Sequence, residues 1–299
     1  MKRARASMVI ATAAIAGLAL TGCGSNSLDN GSTKKATVDT GVDKAAAALV
    51  PKAIKDKGTL VIGTDASYAP SEFLAGDGKT VQGFDVDLFN AVAKKLGLKT
   101  QWVPAKFDAI ITGVEGKKYD MGISSFTVNA DREKQVNMVS YFNAGTQWAA
   151  APGNPKKVDP QKPCGLTVAV QKGTVQQEED LPPKEKACQA QGKPIKVLVY
   201  EGQDQATATV ASGKADAMLA DSPVVAYAVK QSGGKIEAVG DIYDAAPYGY
   251  VVPKAETGLA DAIVAALKSL DASGDYKKVL ESWGVTDGAI NDFAVNPTP

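Results

Sequence analysis

Four places in this 299-residue chain put acids or hydroxyls where an apolar run ends: Asp65, Ser124 with Ser125, Thr174 after a Gly173 turn, and Asp221. Groups of this kind, once gathered, can hold a small polar molecule, or move a proton if one carboxyl has a raised pKa. The chain contains no histidine. Ser-His-Asp and Cys-His catalysis and most zinc sites need an imidazole, so all of them are excluded together. No metal and no cofactor is expected. The 33 basic residues balance 33 acidic ones, which leaves no broad positive field for DNA, RNA or an anionic surface. Nucleic acid is not an expected partner.

The elements that must position these residues alternate strand and helix. Leu60, Val61 and Ile62 form a short apolar run between Gly58 and Asp65, and Leu88, Phe89, Val92 and Leu96 recur at helical spacing between Gly83 and Gly97. The pattern predicts strands over 98–103 and 121–125 with a helix over 107–114 between them. A second series predicts strands over 166–171, 195–200 and 217–221 and a helix over 204–212. Leu259, Ile263 and Leu267, then Tyr276, Val279, Leu280 and Trp283, mark two closing helices. Two successive strand–helix–strand series predict two α/β bodies with mainly parallel sheets. In such sheets ligands bind beyond the carboxyl ends of the strands, which is where the polar set falls.

The N-terminus reads as an address. Lys2, Arg3 and Arg5 precede a small and apolar run from Met8 to Leu20, the build of a secretory signal and too short for a comfortable membrane span. Leu20-Thr21-Gly22-Cys23 resembles the bacterial lipoprotein box, in which lipid is attached to the Cys and cleavage leaves it N-terminal. Removing 1–22 takes three positive charges from 33, so 30 basic residues would face 33 acidic ones, a net −3. From Gly24 to about Thr40 almost nothing is apolar, which predicts a flexible spacer with a span of about 20 to 25 Å. Cys164 and Cys188 are an even pair in an exported chain and are expected to form a disulfide, with two separate buried thiols as the alternative.

The motifs Gly63-Thr64-Asp65-Ala66-Ser67-Tyr68-Ala69-Pro70, Gly83-Phe84-Asp85-Val86-Asp87-Leu88, Phe107-Asp108 and Ser124-Ser125-Phe126-Thr127, with Arg132 beyond, together resemble the polar amino acid substrate-binding proteins of ABC importers. The resemblance runs in order from about Gly58 to Trp283. It implies a type 2 periplasmic-binding-protein fold: a two-lobed α/β clamshell of two mainly parallel sheets flanked by helices, with two hinge crossings. By similarity the crossings fall near Asn143 to Gln147 and Asp241 to Pro247. The implied organisation is a signal over 1–22, a lipidated tether and linker over 23–57, lobe one over 58–145, lobe two over 146–245, and a return to lobe one over 246–299.

The resemblance also implies roles. Arg132 would anchor the α-carboxylate, since a guanidinium offers two parallel donors to it. Asp221, with Ser125 and Thr127, would accept the α-ammonium, although Asp221 before Ser222-Pro223 is equally placed to cap a helix. Tyr68 and Phe107 would sandwich the ligand's stem, Ser124 would line the cleft, Thr174 would open a helix whose free N–H groups can also hold the carboxylate, and Asp65 and Gln171 would face the ligand side chain. Ser71 and Val175 depart from the usual pattern and leave pocket size open. The implied ligand is a free polar amino acid, amide or basic, and the implied partner an ABC permease, with the protein a monomer tethered outside the cytoplasm. Alternatives on the same fold are an enzyme resembling cyclohexadienyl or arogenate dehydratases, for which Glu72 or Asp65 could serve as acid, and a sensory ligand-binding protein.

Replacing Cys23 with Ala is expected to move the protein from the membrane to the soluble exported fraction and to abolish labelling by radioactive lipid. Continued membrane retention of that variant would remove the anchor.

Overall fold

The computed structural model describes Val38 and residues 40–297. The signal over 1–22, Cys23 and nearly all of the spacer lie outside the described residues.

Ordered helix begins earlier than the sequence pattern predicts. Asp43 accepts hydrogen bonds from the backbone N–H groups of Ala45 and Ala46 and so caps α1 (Lys44–Leu49), and Gly58 in the left-handed conformation ends α2 (Lys52–Lys57). Ala46, Val50 and Ile54 are buried in the first core. The linker expected over 23–57 is therefore corrected from Asp43 onward, where capping and three apolar side chains buried in the core fix the chain.

The first series runs β1 (Thr59–Thr64), β2 (Ser67–Tyr68), β3 (Glu72–Leu74), β4 (Val81–Gln82), α3 (Phe84–Lys95), β5 (Lys99–Pro104), a 3₁₀ turn (Phe107–Ala109), α4 (Ile110–Glu115) and β6 (Met121–Gly122). Strands β2, β3 and β4 form a small antiparallel sheet that leads into α3. Gly83 makes that junction possible. Its φ is +146°, and a Cβ there would lie 1.9 Å from the Ser71 carbonyl oxygen, so only glycine lets the first turn of α3 close on the 70–72 segment. The short α5 (Ala130–Gln135) follows, capped by Asn129, and leads into the 15-residue strand β7 (Val136–Ala150).

The second series is β8 (Thr167–Gln171), a π-helical turn (Gln176–Asp180), α6 (Leu181–Ala190), β9 (Lys196–Tyr200), α7 (Gln203–Ala211), β10 (Ala217–Asp221) and α8 (Ser222–Gln231). The 17-residue strand β11 (Glu237–Pro253) then returns to the first series, where α9 (Thr257–Ala272) and α10 (Asp275–Trp283) close the chain.

Eight strands share one ladder, in the order β5-β1-β6-β11-β7-β10-β8-β9. The outer trios are parallel, as the two series predict, and β7 and β11 join them as an antiparallel pair. The two sheets are thus continuous through these long strands. The β7–β11 register slips between Val239 and Tyr243, between Tyr243 and Ala246, and between Tyr248 and Gly249, so the ribbon bends where the two halves meet.

Each half covers both faces of its sheet. In the first, Phe84, Phe89, Tyr141, Tyr250, Ile263 and Tyr276 build one core, with the Tyr141 and Tyr250 rings stacked 3.9 Å apart, while Ile110, Phe126, Met138 and Val251 build the other. In the second, Ala206, Val210 and Val225 lie on one face and Trp148, Val170, Leu181 and Cys188 on the other. Cys164 and Cys188 are disulfide-bonded, tying the approach to β8 onto α6. Cross-linking a loop with a sequence separation of 24 stabilises by about 3 kcal/mol. Reduction, or Cys164→Ser with Cys188→Ser, is expected to lower Tm by roughly 6 to 12 °C in calorimetry. An unchanged Tm would show that the bond carries no stability.

Candidate functional site

The carboxyl ends of β1, β6, β8 and β10 converge, and a small cavity lies among them, lined by Tyr68, Phe107, Ser124, Ser125, Thr127, Arg132, Thr174, Val175, Gln176 and Asp221. Eight of the ten predicted ligand residues line it. Asp65 and Gln171 do not.

Asp221 ends β10 at the N-cap position of α8, but its side chain makes no capping bond. It turns into the cavity instead. Oδ2 accepts hydrogen bonds from the hydroxyls of Tyr68 (2.9 Å) and Tyr248 (2.8 Å), and Oδ1 accepts one from Gln176 Nε2 (2.8 Å). Burial pushes its carboxyl above the ordinary carboxylate value, and the three donors and the nearby Arg132 charge oppose that. Tyr68, Tyr248 and Gln176 come from β2, β11 and the π-helical turn, so one carboxylate gathers groups from both halves and from the long strand between them.

Arg132 lies on α5, where the Asn129 side chain accepts a hydrogen bond from its backbone N–H. The guanidinium donates through Nη1 to the Thr127 carbonyl (2.8 Å) and through Nη2 to the Gly173 carbonyl (3.1 Å). Its plane stands over the rings of Phe107 and Phe126, which stack 4.6 Å apart. Only 8% of the residue is exposed. Burial lowers its pKa from the ordinary guanidinium value, and the neighbouring carboxylates oppose that shift. Arg132 and Asp221 face the same cavity without forming an ion pair among the described residues.

The β1 and β6 ends supply the rest of the wall. Ser124 Oγ accepts from the Asp65 backbone N–H (3.0 Å) and donates to Glu72 Oε1 (3.2 Å). Ser125 adopts φ +50°, unusual for a residue with a Cβ, and its N–H donates to Asp85 Oδ2 (3.2 Å). Thr174 Oγ1 donates to the Gln171 carbonyl (2.8 Å), which fixes the turn that carries Gly173. Gly173 has φ +77°, and a Cβ there would lie 2.9 Å from Asp108 Cβ, so the turn meets the first half too closely for a side chain.

Asp65 is occupied locally. It accepts from the Ser67 hydroxyl, the Ser67 N–H (3.0 Å) and the Phe107 N–H (3.1 Å), and burial holds its carboxyl above the ordinary value. Gln171 donates to the Glu201 carbonyl (3.3 Å), while its Oε1 is buried without a donor among the described residues. Glu72 lies behind Ser124, fully buried and outside the cavity wall. Sequence reasoning missed Gln176 and Tyr248. The first falls two residues after the predicted Thr174 turn; no local pattern marks the second.

Contacts between the halves surround the cavity. Lys106 pairs with Glu201 (3.0 Å), Lys172 with Asp108 (2.8 Å), the Gln203 N–H donates to Ser67 Oγ (3.0 Å), and Asn129 Nδ2 donates to Glu179 Oε1 (2.6 Å). Among the described residues no group of acidic or cysteine side chains could hold a metal ion, and no helix is long and apolar enough to cross a membrane.

The arginine-binding protein of Corynebacterium glutamicum is 39% identical over 253 residues, which cover 84% of this chain and 83% of that protein. An ancestral arginine-binding protein, in structures bound to arginine and to glutamine, superposes with a TM-score of 0.69 at 33% identity over 76% of this chain and 98% of that one. An ancestral amino acid-binding protein described as a precursor of cyclohexadienyl dehydratase superposes with a TM-score of 0.68 at 33% identity, over 77% of this chain and 97% of that one. Residues 60–286 match a single protein family, and with it the type 2 periplasmic-binding-protein fold: the chain belongs to the bacterial extracellular solute-binding proteins, family 3.

Proposed function

We propose that this protein captures a free amino acid with a basic or amide side chain, arginine ahead of glutamine, and delivers it to an ABC import permease from a lipid anchor at Cys23. The observation that carries this reading is the pair of buried, opposite and mutually unpaired charges on one small cavity. A zwitterion laid between Arg132 and Asp221 gives the guanidinium a carboxylate and the carboxylate an ammonium, each replacing neutral partners with a charge-assisted bond. Ser125 and Thr127 flank the ammonium, and Tyr68 and Phe107 face the ligand's stem.

The side-chain preference rests on the relatives, because Asp65 and Gln171, the two residues expected to face the ligand side chain, do not line the cavity. The names of the relatives point to arginine with glutamine tolerated. The lobe boundaries at 145/146 and 245/246 belong to the same proposal: they fall within the β7–β11 segment where the register slips. Closure then brings Thr174, Gln176 and Asp221 onto the Tyr68–Arg132 wall, and the ligand stabilises the closed state by contacts that the open state lacks. We read the site as one of capture and not turnover because both acids offered for a dehydratase lie off the cavity wall, Glu72 on Ser124 and Asp65 on Ser67 and Phe107.

In a thermal-shift screen of the twenty amino acids, ligand at 100 times its Kd adds about 2.7 kcal/mol, which raises Tm by roughly 5 to 10 °C. Arginine is expected to give the largest shift, with glutamine next. Selective stabilisation by aspartate or glutamate would contradict the side-chain assignment, and no response to any of the twenty would overturn the amino-acid reading. Arg132→Ala is expected to weaken binding by about 2 to 5 kcal/mol in calorimetry, because the ligand carboxylate is left buried and unpaired. Binding within threefold of wild type would show that the anchor lies elsewhere.

A further inference from the structure

We infer that Glu72 and Asp85 share one proton and act as a positioning pair that sets the Ser124–Ser125 turn of the binding cavity. Both residues are fully buried. Glu72 Oε1 accepts from Ser124 Oγ (3.2 Å), and Asp85 Oδ2 accepts from the Tyr141 hydroxyl (2.6 Å), the Ser125 N–H (3.2 Å) and the Ser125 hydroxyl (3.4 Å). The two remaining oxygens, Glu72 Oε2 and Asp85 Oδ1, are buried and have no hydrogen-bond partner among the described residues. The two acids hold adjacent residues of one turn, which brings their carboxyls face to face. Ionised carboxylates only accept, so a bond between them requires a proton.

The surroundings favour retaining that proton. Neither carboxyl has an ion pair with Lys or Arg among the described residues. The titratable groups that face the pair are Asp65 at the end of β1, Tyr68 of β2, Tyr141 of β7, and Tyr248 and Tyr250 of β11. Burial keeps all four phenols well above their usual value, so they stay neutral, and the Asp65 charge adds to the repulsion. Burial pushes Asp85 up to about 6, and burial together with the Asp85 charge pushes Glu72 up from its ordinary value. Asp85 has three donors and sits in the first turn of α3, where the helix dipole favours a carboxylate. Glu72 therefore carries the proton and donates it to Asp85.

The pair reaches the ligand through two serines. Asp85 holds both the N–H and the hydroxyl of Ser125, whose φ of +50° needs such support, and Glu72 holds the Ser124 hydroxyl, which in turn holds the Asp65 N–H. Gly83 brings the two acids together by allowing α3 to close on the segment before Glu72. Loss of the shared proton places two charges in contact beneath this turn.

The sign follows from linkage. The folded chain holds a proton that the unfolded chain releases above the ordinary carboxylate range, so the pair's contribution to stability falls as pH rises from that range toward neutrality. One such proton changes the folding constant tenfold per pH unit.

Infrared spectra of the ligand-free protein at neutral pH test the proton directly. A protonated-carboxyl band is expected in the wild type and is expected to be absent from Glu72→Gln, whose amide keeps both hydrogen bonds without a titrating proton. In denaturant titrations the wild-type folding constant should fall with rising pH more steeply than that of Glu72→Gln, by up to about tenfold per unit. A band that survives in Glu72→Gln, or parallel pH profiles, would overturn the inference. Its positioning part rests on the amino-acid reading: Glu72→Ala should weaken binding at least tenfold, and Glu72→Gln should recover most of that loss. A glutamine variant no better than alanine would refute positioning, and if the alanine variant does not fold, the wild type and Glu72→Gln still decide the proton. Failure of the amino-acid reading would show as no ligand response in the wild type, with both proton measurements unaffected.

Discussion

Two opposite charges are buried on one cavity and kept apart from each other, and the rest of the molecule is arranged around that constraint. A buried charge is costly unless hydrogen-bonded or paired. Here each is held by neutral groups: Arg132 by two carbonyls and two aromatic faces, Asp221 by two phenols and an amide. That support holds both in place, and in the proposed complex a zwitterion would add the opposite charge that the neutral partners do not provide.

Bringing both charges to one cavity draws on both strand series and on the long pair of strands that joins them. The parallel trios place loops at the carboxyl ends of their strands, and the β7–β11 pair, with its register slips, lets those ends face one another. Tyr248 lies in that bent segment and donates to Asp221, while Tyr68 reaches Asp221 from the small sheet. Surface ion pairs such as Lys106 with Glu201 contribute little singly. The buried bonds to Asp221 and Arg132 are the ones that join the halves at the cavity.

Much of this was legible in the sequence because periodicity reports burial. The alternation of strands and helices and the strand ends that carry Asp65, Ser124, Ser125, Thr174 and Asp221 follow from local pattern, whereas Arg132 was singled out by the family resemblance alone. Helices α1 and α2 were not legible, since a short Lys- and Ala-rich stretch is helical only when Asp43 caps it and Ala46, Val50 and Ile54 find a core. Tyr248 and Gln176 were missed because their partner Asp221 is distant in sequence. Asp65 was expected to face the ligand, but Ser67 two residues on and the distant Phe107 occupy its oxygens. The Glu72–Asp85 contact depends on Gly83, whose closeness to Ser71 only the structure reveals.

The central claim is that both charges of a free amino acid are read at once. Calorimetric titration with arginine, with its decarboxylated analogue agmatine and with Nα-acetylarginine tests it without altering the protein. Arginine should bind, and each analogue should lose at least a hundredfold in affinity, about 2.7 kcal/mol, because one buried charge then meets no partner. Binding of either analogue within threefold of arginine would contradict the account.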